Sequence, residues 1–197
     1  MSTPFDIGCD LNLRSIKFFS LRNNERIETI TFTRNDTQPS SMWNGEACNQ
    51  FSKAVFGHQQ LKTLALDSVL SWVNPFAVFS SIQTISNLTC LNLTNNNLVD
   101  EHMNYLLRSI DINKLEELNL SENSFSQHQL TDFIDSFNEN NKMRKLNLSS
   151  LKINDDTFSR IATKLLYKQS RVTTLVLNNN SITSIGLENV TGILSYN

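Results

Sequence analysis

No apolar run in these 197 residues approaches the roughly 18 that a membrane-spanning helix needs, so no membrane insertion is expected. An excess of positive charge is missing too. Seventeen Lys and Arg stand against nineteen Asp and Glu, a formal charge of −2. That balance supplies no field to hold nucleic acid or an anionic membrane. The first ten residues, Met1 to Asp10, carry neither the charged nor the apolar stretch of a secretory signal, which points to the cytoplasm. Cysteine is scarce: Cys9, Cys48 and Cys90 are odd in number and too far apart for a zinc site, and read as reduced thiols. GxxxxGK[ST], HExxH and GxSxG are absent. His58, His102 and His128 fall in a loop and in two first helical turns, so no metal site, cofactor or catalytic set is expected.

What the chain does have is asparagine: 26 of 197 residues, about 13%. Asn is poor inside helices and strands and good in turns. So much of it in a chain that is 39% apolar asks for an architecture that repeats one turn many times. Self-comparison finds the repeat. Leu88 opens L-T-C-L-N-L-T-N-N-N-L, Leu115 opens L-E-E-L-N-L-S-E-N-S-F, Met143 opens M-R-K-L-N-L-S-S-L-K-I, and Val172 opens V-T-T-L-V-L-N-N-N-S-I. Weaker copies start at Ile27 and Leu61, and the six starts lie 34, 27, 27, 28 and 29 residues apart. Fifteen residues after each of the last five starts sits a large apolar side chain: Phe76, Met103, Leu130, Phe158 and Leu187. Further apolar residues follow at helical spacing, behind N-caps expected at Asp100, Ser126, Asn154 or Asp155, and Ser184. Each unit is predicted to be a short strand, an Asn turn and a helix of about three turns.

These motifs resemble leucine-rich repeats, specifically the ribonuclease-inhibitor-like class, over about Ile27 to Tyr196. The resemblance implies an α/β solenoid with a curved parallel sheet on its concave face, helices on its convex face and about six repeats. It also implies that the Asn at the ninth motif position ties each turn to its neighbour. Asn35, Asn96, Asn123 and Asn180 hold that position, while Val69 and Leu151 replace the amide, and the turns there are expected to be reshaped or hydrated. Residues 1–26 are read as an N-terminal capping segment, with Ile16–Leu21 and Arg26–Phe32 flanking a hairpin turn, and residues 27–197 as the array. About seven extra residues between Arg34 and Gly57 are expected to form a rim loop.

The register puts the third, fifth, seventh and eighth motif positions on the inner sheet face. That face is neutral and polar, without stacking aromatics, basic stripes or an apolar pocket, which favours another protein as partner over nucleic acid or a lipid. The expected protein-binding residues are Asp67, Asn92, Glu117, Asn119, Glu122, Lys145 and Asn147 on this face, Arg34 at its rim, and Trp43 and Trp72 in rim segments. The tryptophans serve equally as anchors for a partner or as packing over a neighbouring unit. By analogy with ribonuclease inhibitors, such a protein captures an enzyme or signalling protein and blocks or redirects it, without catalysis of its own. The short, Asn-rich, Cys-poor array also resembles leucine-rich-repeat effectors that bacterial pathogens deliver into a host cytosol. One enzymatic alternative stays open. Ran GTPase-activating proteins use the same repeat class and an Arg in a turn after a strand, a location that Arg34 shares.

Overall fold

The computed structural model describes residues 26–33, 45–70, 75–166 and 170–194. The alternation in Thr29-Ile30-Thr31-Phe32-Thr33 sends Ile30 and Phe32 to a buried face and the threonines to the other, as a strand of period two must. This is β1 (Thr29–Thr33), and β2 (Thr63–Asp67) repeats it. Each later unit keeps three strand residues: β3 (Cys90–Asn92), β4 (Glu117–Asn119), β5 (Lys145–Asn147) and β6 (Thr174–Val176). All six pair in parallel and in chain order. Ile30, Leu64, Leu91, Leu118, Leu146 and Leu175 stand in one register row across the sheet. Repetition at a fixed period therefore becomes a continuous apolar spine, which no single unit could bury alone.

Among the described residues six α-helices return along the other side: α1 (Gly45–Val55), α2 (Phe76–Ile82), α3 (Asp100–Ser109), α4 (Gln127–Asp135), α5 (Asp155–Leu166) and α6 (Ser184–Leu194). Strands sit about 4.8 Å apart and helices about 10 Å, so the stack bends with the sheet inside. The first unit's own helix, α1, starts 18 residues after Ile27, where α3, α4, α5 and α6 start 12 residues after the openings of their units, so the extra residues precede it and the rim loop expected there falls in residues 34–44. Residues 34–44, like the expected N-terminal hairpin, lie outside the described residues. Helix α2 has seven residues, two turns rather than three, and closes in tight turns from Thr84 N–H to Ser81 O and Ile85 N–H to Ile82 O. Of the five apolar residues at the helix position, Met103, Leu130 and Phe158 are buried, and Phe76 is half-buried against the rings of His102 and Tyr105. Leu187 departs from the pattern at 55% exposed, because no described unit packs beyond α6.

The ninth-position asparagines work as expected. The Asn96 side chain accepts from Leu70 N–H (2.7 Å) and donates to Leu66 O (2.5 Å), both in the preceding unit. Asn123 accepts from Asn96 N–H and Leu98 N–H at 3.1 and 2.9 Å and donates to Leu93 O at 3.0 Å. Asn180 accepts from Leu151 and Ile153 and donates to Leu148 O. Asn35 lies outside the described residues. Of the expectation for Val69 and Leu151, reshaping does not reach the eighth residue of either turn. The eighth residue keeps a left-handed conformation throughout, with φ of 60° at Ser68, 53° at Asn95, 58° at Glu122, 57° at Ser150 and 54° at Asn179. The main chain holds these turns instead. Ser68 N–H donates to Thr94 O, Asn95 N–H to Ser121 O, Glu122 N–H to Ser149 O and Ser150 N–H to Asn178 O, at 2.8–3.0 Å. Val69 and Leu151 fill the amide's place as buried apolar side chains.

Candidate functional site

The inner face is built by the outward half of the strand alternation. Register sets Cys90, Glu117 and Lys145 side by side on β3, β4 and β5, and sets Asn92, Asn119 and Asn147 side by side one step further along the same strands. Five of the expected contact residues, Asn92, Glu117, Asn119, Lys145 and Asn147, thus form one patch. Glu117 and Lys145 are paired, with the Lys145 ammonium 3.6 Å from the Glu117 carboxylate. Both are about half exposed, so the pair is screened and contributes little to stability. Glu122 sits in the turn above β4, exposed and in left-handed backbone. Asp67 ends β2 and accepts from the Ser68 hydroxyl at 2.8 Å. Arg34, Trp43 and Trp72 lie outside the described residues.

The asparagine row has a fixed internal geometry. Asn92 Oδ1 accepts from Thr94 N–H (2.9 Å) and the Thr94 hydroxyl (2.6 Å). Asn119 Oδ1 accepts from Ser121 N–H (3.1 Å) and its hydroxyl (2.8 Å), and Asn147 Oδ1 accepts from Ser149 N–H (3.0 Å). Each closes its strand by mimicking a backbone turn. The seventh position is correspondingly less available than the register alone implies, because Ser121 and Ser149 are buried under this turn. The inner face is therefore an amide surface more than a hydroxyl one.

Composition and spacing missed a second ladder, on the helix side. The first helical residue of one unit accepts from the main chain just ahead of the next helix. Asp100 accepts from Ser126 N–H (2.8 Å), Gln127 from Asn154 N–H (3.2 Å) and Asp155 from Thr183 N–H (2.7 Å). Asp100 is thus not the N-cap expected of it. Val99 holds that place, and its N–H donates to His102 Nδ1 at 3.1 Å. Burial holds the His102 imidazole below its usual pKa, against the opposing pull of Glu101, which keeps the accepting neutral form. Ser126 and Asn154 do cap, accepting from Gln129 N–H and Thr157 N–H, whereas Thr183 takes the place expected of Ser184. The Thr183 hydroxyl, and then its N–H, hold the Asp155 carboxyl below the ordinary carboxylate range. The signal was present in the sequence as Asp or Gln one residue beyond each cap, but Asp100 and Asp155 read there as cap candidates for their own helices.

His58 is buried, with Nδ1 accepting from Leu61 N–H. His128 is exposed beside Asp132, and among the described residues no group of three His, Cys, Asp or Glu could hold a metal ion. A hollow of about 370 Å³ lies at the C-terminal ends of α4 and α5, lined by Phe137, Asn138, Asn141, Lys164 and Leu165, away from the inner face. Among the described residues no helix is long and apolar enough to cross a membrane.

The family pattern "Leucine Rich Repeat" matches residues 114–137, the unit that contains β4 and α4. No curated protein matches the sequence. Among solved structures, the chain is similar to the actin-binding site 2 of leiomodin-1, with 14% identity over 90% of this chain and 85% of that one and a TM-score of 0.46. Six parallel strands in chain order, a helix after each, and an Asn that bonds back across the turn make the fold a leucine-rich-repeat solenoid.

Proposed function

We propose that the chain is a non-catalytic protein-interaction module that binds a protein partner on its inner sheet face, and that it inhibits or redirects an enzyme or signalling protein there. The observation that carries this reading is the contiguous patch of Asn92, Glu117, Asn119, Lys145 and Asn147 on three paired strands. Its three asparagines are held by hydrogen bonds from main chain, so they lose little entropy when a partner settles on them. Six strands at about 4.8 Å give an arc on the order of 25 Å long, enough for the roughly 800 Å² per partner of an ordinary interface. The ribonuclease-inhibitor-like class, a cytoplasmic location and an effector-like role in a host cytosol belong to the same proposal. They rest on the 27–29-residue period and on the composition.

A charge-swap series tests it. Glu117→Lys places two cations side by side, while Glu117→Lys with Lys145→Glu restores the internal pair in reversed order. A partner captured from cells and cross-linked to the chain should be lost by both variants, and suppression of that partner's activity at stoichiometric dose should be relieved by both. A partner held equally by the wild type and both variants would place recognition elsewhere.

A further inference from the structure

Resting on that reading, we infer that the inner face receives an extended, basic segment of its partner, held through the amide nitrogens of Asn92, Asn119 and Asn147. Which end of each amide faces outward is fixed by chemistry. The backbone N–H groups of Thr94, Ser121 and Ser149 can only donate, so the atom they meet at 2.9–3.1 Å must be the side-chain oxygen. The nitrogen therefore points away from the turn, and none of the three has a partner among the described residues. Register places them on adjacent strands, about 4.8 Å apart, which makes a row roughly 10 Å long with six N–H donors.

A row of donors selects acceptors, and its surroundings select among them. Among the described residues the face carries Asp67, Glu117 and Glu122 against Lys145, and Lys145 is engaged by Glu117. Asp67 and Glu122 form no ion pair among the described residues. Carboxylate ligands are thus repelled, and neutral carbonyl oxygens remain. A helix uses its own carbonyls internally, whereas an extended segment presents them to a neighbour. A row of about 10 Å meets two or three residues of such a chain. Lys or Arg side chains leaving that segment reach Asp67 beside the β3 end of the row and Glu122 in the turn above its middle strand.

Replacement of all three residues by Asp separates the donor from the fold. Aspartate closes the same turn through its oxygen, so the strand ends survive, while each outward N–H₂ becomes an oxygen. A library of random 12-residue linear peptides displayed on phage is selected on the full wild-type chain. Synthetic copies of the winners are then titrated against wild type and the Asn92→Asp, Asn119→Asp, Asn147→Asp chain. The expected winners are rich in Lys or Arg, and the triple variant binds them at least about tenfold more weakly with its melting temperature kept. Charge alone works the other way, since three added anions attract a basic peptide, so unchanged or tighter binding by the variant overturns the inference. Failure to select any peptide, or selection of acidic or apolar ones, overturns it too. In the last two cases a folded partner still lost on the charge swap leaves the interaction reading standing.

Discussion

Asn123→Ala tests the ladder that holds the units together. The Asn123 amide oxygen is an acceptor for Asn96 N–H and Leu98 N–H, and its nitrogen donates to Leu93 O, Leu120 O and Ser121 O. Asn96 and Leu98 are both about 2% exposed, so truncation leaves two N–H groups in a space with no replacement acceptor. Each buried orphan costs about 1–3 kcal/mol, and the carbonyls lose less because each keeps a second lone pair. The sum is about 2–6 kcal/mol. At roughly 2–4 °C per kcal/mol for a chain of this size, the midpoint should fall by about 10 °C. Circular dichroism during heating gives the midpoint, and amide exchange places the damage: Asn96 and Leu98 should lose protection ahead of the spine residues Leu118 and Leu146. Asn123→Leu should cost less than Asn123→Ala, because at Leu151 a leucine already fills the equivalent place in the next unit. A loss under about 1 kcal/mol for Asn123→Ala, or unchanged exchange at Asn96 and Leu98, would refute the ladder argument.

Three further outcomes follow from the same packing. Gly186→Ala, ordinarily favourable by about 1 kcal/mol inside a helix, should destabilise α6 here, because a Cβ at that position collides with the Asp155 carboxylate; urea denaturation gives the sign. Phe79→Ala, at 0% exposed between sheet and helices, should cost about 3–5 kcal/mol in the same assay. Acid should loosen the last unit first. The folded Asp155 pKa is depressed, so its contribution is whole above the unfolded value of 3.8 and is lost as pH falls through the folded one, read as earlier amide exchange at Thr183 below about pH 4. Exchange at Thr183 that is flat from pH 6 to pH 3, after correction for intrinsic rate, would remove Asp155 from that role.

The fold was legible because the repeat states the same rule six times. Leucines at the fourth and sixth motif positions can only be buried by stacking, and the observed register rows follow from that alone. The patch of Asn92, Asn119 and Asn147 was legible for the same reason, since period two decides which residues leave the core. The Glu117–Lys145 pair was not, because the two residues are 28 apart in sequence and meet only through strand register. The helix-side ladder was hidden too. Asp100 and Asp155 read in the sequence as N-cap candidates, and only the stacked geometry shows that they accept from Ser126 and Thr183 of the following unit. Leu187 shares the period but not the burial, because burial at its position requires a neighbour on the far side of α6.

The asparagine excess divides by position, and the division bears on the proposed recognition. At the ninth position, as in Asn96 and Asn123, both ends of the amide are consumed by main chain, and nothing is left to offer a partner. At the eighth position Asn95 and Asn179 adopt the left-handed turn, a conformation asparagine tolerates better than most residues. At the fifth position only the oxygen is used. The third position, neutralised at Glu117 and Lys145, and the seventh, buried at Ser121 and Ser149, have less to present. At the fifth-position amide one atom serves the turn and the other has no partner among the described residues, so on the proposed reading substitutions there lower affinity without unfolding the array. A fifth-position Asn→Ala change should lower both, since it removes the turn acceptor along with the donor, and the contrast with Asn→Asp separates the two roles of one side chain.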